Sequence, residues 1–194
     1  MEKTNLETKT YFEALRLFIS SPKTAFHIVI DKSEKAPQLI LLGLYGLLNV
    51  ISPILIYEKI AGAIIFKLIF KGLMGAAIGW VGIWFLSQLT NVLNNILRGD
   101  SESDDVFTAF SFALLPVILS LIIITIIGMV INPTEIFQMF SGILILIAFI
   151  WTCILLFIGN KVASKLNWFK NFVSVSIPLI IIIIVNIVMM RLRT

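Results

Sequence analysis

The chain has 194 residues, of which 59% are hydrophobic and 13% are charged, and its formal net charge is +4. Soluble domains are about 45–50% apolar and about 25% charged, so this composition indicates an integral membrane protein. A single cysteine, Cys153, excludes an intrachain disulfide. The sequence contains no basic cluster with interleaved aromatic residues of the kind that indicates a nucleic-acid partner.

Residues 1–35 are predicted to form a cytoplasmic amphipathic helical segment. Residues 8–20 have a helical repeat, and the apolar stripe is made of Tyr11, Ala14, Leu15, Phe18 and Ile19. Ser21 and Pro22 are typical of the N-cap and first position of a second helix, with Phe26, Val29 and Ile30 on one face. Such helices lie flat among lipid headgroups, pack on the ends of the spans, or bind a partner. His27 is expected to be exposed.

Residues 36–194 are predicted to be a five-helix transmembrane domain. A bilayer core of about 30 Å requires about 20 apolar residues in a helix. Five charge-free runs are long enough: Ala36–Tyr57, Gly72–Leu97, Val106–Thr134, Ile136–Asn160 and Asn171–Met190. The run Ile60–Phe66 is too short to cross and is expected to be interfacial or re-entrant. The runs lack the period-two alternation of barrel strands, so the predicted fold class is an all-α polytopic membrane helix bundle.

The distribution of basic residues predicts the orientation. Lys and Arg accumulate in cytoplasmic loops. With the N-terminus inside, cytoplasmic segments carry ten of these residues and external segments five. We therefore expect a cytoplasmic N-terminus and an external C-terminus.

The turn between the second and third spans concentrates acidic residues. Asp100, Glu102, Asp104 and Asp105 fall within six positions. Asp104 is predicted to be the N-cap of the third span, where acids oppose the helix dipole. The spacing fits no cation-binding loop, which favours a solvated turn over a divalent-cation site. The same acids are candidate contacts for a partner protein.

The predicted spans contain no Asp, Glu, Lys, Arg or His. Proton relays and intramembrane proteases need such groups or metal ligands. We therefore predict a protein that is not an enzyme and has no cofactor or metal site.

Packing residues are the remaining signal within the spans. Gly75, Gly79 and Gly82 share one face of the second span and allow close helix approach, within one chain or in a homo-oligomer. Prolines inside three spans predict kinks, at Pro53, Pro116 and Pro178. Four amides are candidates for hydrogen bonds across helices: Asn49, Asn94, Asn95 and Asn186.

The fourth loop combines basic and aromatic residues, which predicts an interfacial anchor. Its members are Lys161, Lys165, Trp168 and Lys170. Such a loop is attracted to anionic lipid at the cytoplasmic face of the bilayer.

Three stretches resemble the Yip (Ypt-interacting-protein) family of five-span membrane proteins in its bacterial form. They are SPKTAFHIVI at 21–30, the glycine-rich start of the second span, and VFTAFSFALLP at 106–116. The likeness covers nearly the whole chain.

This resemblance implies a protein of the bacterial cytoplasmic membrane without catalytic activity. Some bacterial relatives are accessory subunits of ABC-type exporters. The predicted function is a membrane adaptor or accessory protein that acts through helix packing and its cytoplasmic face. The alternatives are a transporter or permease-like subunit, with a wet cavity near Pro116 and Pro178, and a membrane-shaping or lipid-organising protein.

Overall fold

The computed structural model describes residues 11–32, 35–57, 64–131 and 134–191. Within these ranges the chain is α-helical and contains no strand, which confirms the predicted fold class. The helices are α1 (Tyr11–Ser20), α2 (Pro22–Lys32), α3 (Lys35–Tyr57), α4 (Ile64–Ile96), α5 (Ser103–Ala113), α6 (Leu115–Val130), α7 (Glu135–Ser164) and α8 (Trp168–Arg191).

Four segments of the described chain are long and apolar enough to cross a membrane. They are Lys35–Ile56, Leu68–Ile96, Ser103–Val130 and Glu135–Ser164. These segments correspond to the first four predicted spans. The helix α8 covers the predicted fifth span, Asn171–Met190, and the five-span count stays a prediction.

The start of α4 differs from the prediction. The helix begins at Ile64 rather than Gly72 and includes Lys67 and Lys71. Lysine is a good helix former, so these two residues do not end the helix. Residues 64–66 therefore form the first turn of α4 and not a separate segment, while their interfacial location stays a prediction. Residues 60–63 lie outside the described ranges.

The predicted third span consists of two helices, α5 and α6, which are separated at Leu114. Pro116 lies in the first turn of α6. Proline has no N–H and clashes with the preceding turn, so it fits a helix start without loss, whereas in a helix interior it removes a backbone hydrogen bond. Pro116 therefore marks a helix boundary instead of a kink within one helix, whereas Pro53 and Pro178 lie inside α3 and α8.

The start of α5 also corrects the predicted cap. The helix begins at Ser103, so Asp104 lies inside the first turn and is not the N-cap. Asp104 and Asp105 still occupy the end of the helix where carboxylates oppose the dipole favourably.

The chain divides into two compact units. Unit 1 contains α1, α2, α4 from Trp84, the start of α5 up to Phe110, α7 from Leu156, and α8. Unit 2 contains α3, α4 up to Ile83, the chain from Ser111 through α6, and α7 up to Leu155.

Small residues bring the helices of unit 2 together. A Cβ built on Gly75 would lie 2.5 Å from the carbonyl oxygen of Gly46 in α3, and one on Gly79 would lie 2.9 Å from the Cα of Gly46. Nothing lies within 4 Å of a Cβ built on Gly82, so this residue takes no part in the contact. The helices α3 and α6 also pack together, with a 2.6 Å hydrogen bond between the hydroxyls of Ser52 and Thr125.

The N-terminal helices pack within unit 1. The Phe26 ring is fully buried and meets Phe18 of α1 edge to face, with 4.9 Å between ring centroids. A Cβ built on Gly159 of α7 would lie 2.8 Å from Cε1 of Phe26. Among the predicted alternatives, α2 therefore packs on the end of a span.

The structure adds two details to the predicted N-terminal segment. Within the predicted apolar stripe Ala14 and Phe18 are buried, whereas Leu15 and Ile19 are 41% and 77% exposed. His27 was expected to be exposed and is half-buried. Both differences arise because α1 packs on α2 and α2 packs on α7. Sequence periodicity does not specify which side of a helix faces which neighbour.

We expect Gly75→Ala to destabilise the protein by about 1–3 kcal/mol, because the added methyl group meets the backbone of Gly46. Unfolding in mixed micelles, followed by circular dichroism, measures this. Gly82→Ala is the matched control, with no loss and a helix-propensity gain of up to about 1 kcal/mol. Equal losses in both variants would contradict the close contact.

Candidate functional site

Two sharp turns in unit 1 form the centre of the candidate site. The α4–α5 turn contains Arg98 with a φ of 63°, and the α7–α8 turn contains Lys165 with a φ of 54°. The left-handed conformation costs a non-glycine residue about 1 kcal/mol or more, so other contacts must hold both turns. One of them is the 2.8 Å hydrogen bond from the Gly99 N–H to the carbonyl of Asn94, which closes the end of α4.

The two turns are joined by direct polar contacts, which we call the turn interlock. The backbone N–H of Asp100 donates to the carbonyl of Ser164 at 3.0 Å. The ammonium of Lys165 donates to Oδ2 of Asp100 at 2.7 Å, and that of Lys170 donates to the carbonyl of Leu97 at 2.9 Å. Carbonyls at helix ends have no partner within the helix, so the interlock satisfies two of them while it connects the turns.

A buried hydrogen-bond network, the asparagine cluster, lies in the same unit. Its members are Asn94 of α4, Asn160 of α7, and Asn171 and Ser174 of α8, each at most 3% exposed. Asn94 and Asn160 exchange hydrogen bonds of 2.9 and 3.1 Å through their amides. The Asn160 Nδ2 also lies 2.9 Å from Oδ1 of Asn171 and 3.0 Å from Oγ of Ser174.

The asparagine cluster also bonds to helix carbonyls. Asn171 donates from Nδ2 to the carbonyl of Phe157, and the Ser174 hydroxyl donates to the carbonyl of Asn171. No member of the cluster carries a formal charge. Because unpaired amides are costly in an apolar interior, the cluster fixes the three helices in one arrangement.

The acidic residues of the α4–α5 turn differ in their surroundings. Asp100 belongs to the turn interlock, with its side chain 84% exposed, and Glu102 and Asp104 are also exposed. Asp105 is half-buried, close enough to Asp31 of α2 for their charges to interact. The described residues contain no group of three or more His, Cys, Asp or Glu side chains that could hold a metal ion.

The turn itself is attached to α4. The Ser101 hydroxyl donates to Oδ1 of Asn91 at 2.8 Å, and the amide of Gln88 hydrogen-bonds to the Ser103 hydroxyl at 2.6 Å. The backbone that carries the acids is therefore held from two sides.

The predicted interfacial anchors have separate roles. Lys161 and Lys165 are exposed, and Trp168 is 70% exposed while it stacks on Phe172 with a 6.0 Å centroid distance. Lys170 is half-buried and directed to the carbonyl of Leu97 in the turn interlock.

Sequence reasoning found part of the asparagine cluster. Asn94 was predicted to bond across helices and does so, but its partners were not identified. Asn49 instead donates to the carbonyl of Tyr45 in its own helix, and Asn95 is exposed. The Asn186 side chain lies outside the described part of the chain. The available signal was the position of Asn94, Asn160 and Asn171 at the ends of three predicted spans.

The comparison with protein families identifies a family for this chain. The sequence model described as the Yip1 domain matches residues 16–190 of this chain. This match confirms the family inferred from the sequence, whereas the bacterial type stays a prediction. Searches of curated proteins and of solved structures gave no significant match.

We expect Asn160→Ala to destabilise the protein by about 1–3 kcal/mol, because the buried groups of Asn94, Asn171 and Ser174 lose a shared partner. Denaturant unfolding in detergent measures the loss. The control is Asn95→Ala, which removes an exposed amide at the position next to Asn94 in α4. It should change stability by less than about 0.5 kcal/mol. Similar losses for both would show that the cluster does not hold the helices.

The Asp100–Lys165 ion pair predicts a pH dependence. Its hydrogen bond and charge hold the pKa of Asp100 below the ordinary 3.8 and the pKa of Lys165 above the ordinary 10.5. The stabilisation is therefore complete between these ordinary values, lost as the pH falls through the lowered pKa of Asp100, and lost as it rises through the raised pKa of Lys165.

The measurement is the melting temperature of wild type minus that of Lys165→Met, across pH and salt concentration. The difference should be small because both groups are exposed, constant near neutrality, and reduced by high salt. A difference that grows on acidification would contradict the ion pair.

Proposed function

This chain belongs to the Yip1 domain family, and we propose that it is a non-enzymatic membrane adaptor that acts through helix packing and its cytoplasmic face. The observation that carries the proposal is the composition of unit 1. The N-terminal helices, the acidic turn and the basic α7–α8 turn are predicted on the same side of the membrane. All three belong to this one compact unit.

The acidic turn has the properties of a preorganised docking surface. Glu102 and Asp104 are exposed, while hydrogen bonds to Ser101 and Ser103 and the turn interlock hold the backbone beneath them. A rigid surface loses little conformational entropy on binding. Exposed carboxylates favour a partner with a basic surface and accelerate its association.

The proposed partner is a membrane protein complex such as an ABC-type exporter in the bacterial cytoplasmic membrane, with the N-terminus of this chain in the cytoplasm. The family resemblance supports the partner class, and the excess of Lys and Arg supports the orientation. The absence of ionisable residues from the predicted spans supports a role without catalysis or proton coupling.

The asparagine cluster favours the adaptor over the transporter alternative. Its amides bond to one another and to helix carbonyls, as in a packing contact. The burial of Phe26 against Gly159 similarly favours a structural role for α2 over free membrane shaping.

The test is affinity purification from native membranes in mild detergent, followed by mass spectrometry. We expect a membrane complex to be recovered with wild type. The variant Asp100→Asn/Glu102→Gln/Asp104→Asn/Asp105→Asn should insert normally but recover at least about tenfold less partner, because the charges that favour the basic surface are gone.

Glu135→Gln at the start of α7 is the control, because it removes an exposed acid on the opposite predicted side. It should leave recovery unchanged. Unchanged recovery with the fourfold variant, at normal membrane levels, would disprove docking through the acidic turn.

A further inference from the structure

A cavity of about 440 Å³ lies in unit 1 between the start of α2 and the end of α7. Its polar lining includes Lys23 and His27 of α2, and Lys161 and Lys165 of the α7 end. Cavities of this size suit small-molecule ligands. The acidic turn proposed for partner docking does not line it.

The walls of the cavity are apolar and its cations stand on exposed positions. Ile158 and Val162, one turn apart on α7, contribute apolar surface, as does Pro22 of α2. Lys23 and Lys161 are exposed. This combination of apolar walls and cationic groups suits a ligand with an anionic head and an apolar body.

The charge balance of the cavity is positive. Lys165 is neutralised by Asp100 at 2.7 Å. Within the described ranges no acidic residue lines the cavity, so Lys23 and Lys161 leave it with excess positive charge.

The sequence prediction of the fourth span places the cavity at the depth of lipid headgroups. The predicted fourth span ends at Asn160, so Ile158 lies inside it and Lys161 follows it. The contact between Phe26 and Gly159 fixes α2 against this part of α7, so the two walls are held together.

From these observations we propose that the cavity binds one anionic phospholipid, with its phosphate between Lys23 and Lys161 and its glycerol and upper acyl region against Ile158 and Val162. The site goes beyond the general attraction of a basic loop to an anionic surface, because it holds one lipid in a defined cavity. The proposal is independent of the adaptor function, since its test involves no protein partner.

The experiment uses the full chain, purified and delipidated in mild detergent. Phosphatidylglycerol or phosphatidylcholine with identical acyl chains is added, and bound lipid is counted by native mass spectrometry. We expect one phosphatidylglycerol per chain, bound in preference to phosphatidylcholine. Lys23→Glu/Lys161→Glu should weaken phosphatidylglycerol binding about tenfold or more, because two attractive charges become repulsive.

The matched control is Arg16→Glu/Lys71→Glu, which makes the same charge change at exposed positions outside the cavity. This control should bind phosphatidylglycerol like wild type. Equal loss in the control, or equal binding of the two lipids by wild type, would overturn the site.

A cavity-filling variant and a comparison with inorganic phosphate test the site further. Val162→Trp fills the cavity without changing its charge, and a folded variant that still binds phosphatidylglycerol like wild type overturns the proposal. Circular dichroism and size-exclusion chromatography establish folding. The melting temperature of the delipidated chain is also measured with phosphatidylglycerol and with inorganic phosphate alone. We expect phosphatidylglycerol to raise it and phosphate to leave it unchanged. An equal rise with phosphate would identify a free-anion site and overturn the lipid site.

Discussion

The arrangement of unit 1 depends on the buried amide of Asn160. Helices in lipid gain little from hydrophobic association, because the acyl chains are as apolar as their side chains. Hydrogen bonds to one shared side chain favour a single alignment of the helices, which apolar contact alone does not. Asn160 reaches α4 through Asn94 and α8 through Asn171 and Ser174. This alignment sets the positions of the helix ends, and therefore of the turn interlock and of the acidic α4–α5 turn.

In unit 2 the helices are aligned by small residues. Gly46 and Gly75 remove side chains from the place where α3 and α4 meet, so their backbones come within van der Waals contact. The Ser52–Thr125 bond joins α3 to α6 with hydroxyls that need little space. Both units therefore combine polar contacts with close approach at a glycine, but the asparagine cluster belongs to unit 1 and the Gly46–Gly75 contact to unit 2.

Sequence reasoning was most successful where one property decides the structure. Hydropathy predicted helices in all five apolar runs, because an unpaired backbone cannot stay in a bilayer. It misplaced the start of α4, because Lys67 and Lys71 were treated as the end of a span. It did not find the partners of Asn94, since pairing with Asn160 depends on how α4 and α7 are aligned. The same limit applies to the lipid cavity, whose walls come from helices far apart in the chain.

The asparagine cluster has a consequence for biogenesis. Asn94 bonds to Asn160 across 66 positions, and Asn160 waits in turn for Asn171 and Ser174 of the last helix. During synthesis α4 is therefore made with a polar side chain whose final partner does not yet exist. Phe26 is separated from its partner Gly159 by a still longer stretch of chain. Unit 1 is complete only when α8 has been made, so a chain that ends before α8 leaves the buried amide of Asn160 without two of its partners.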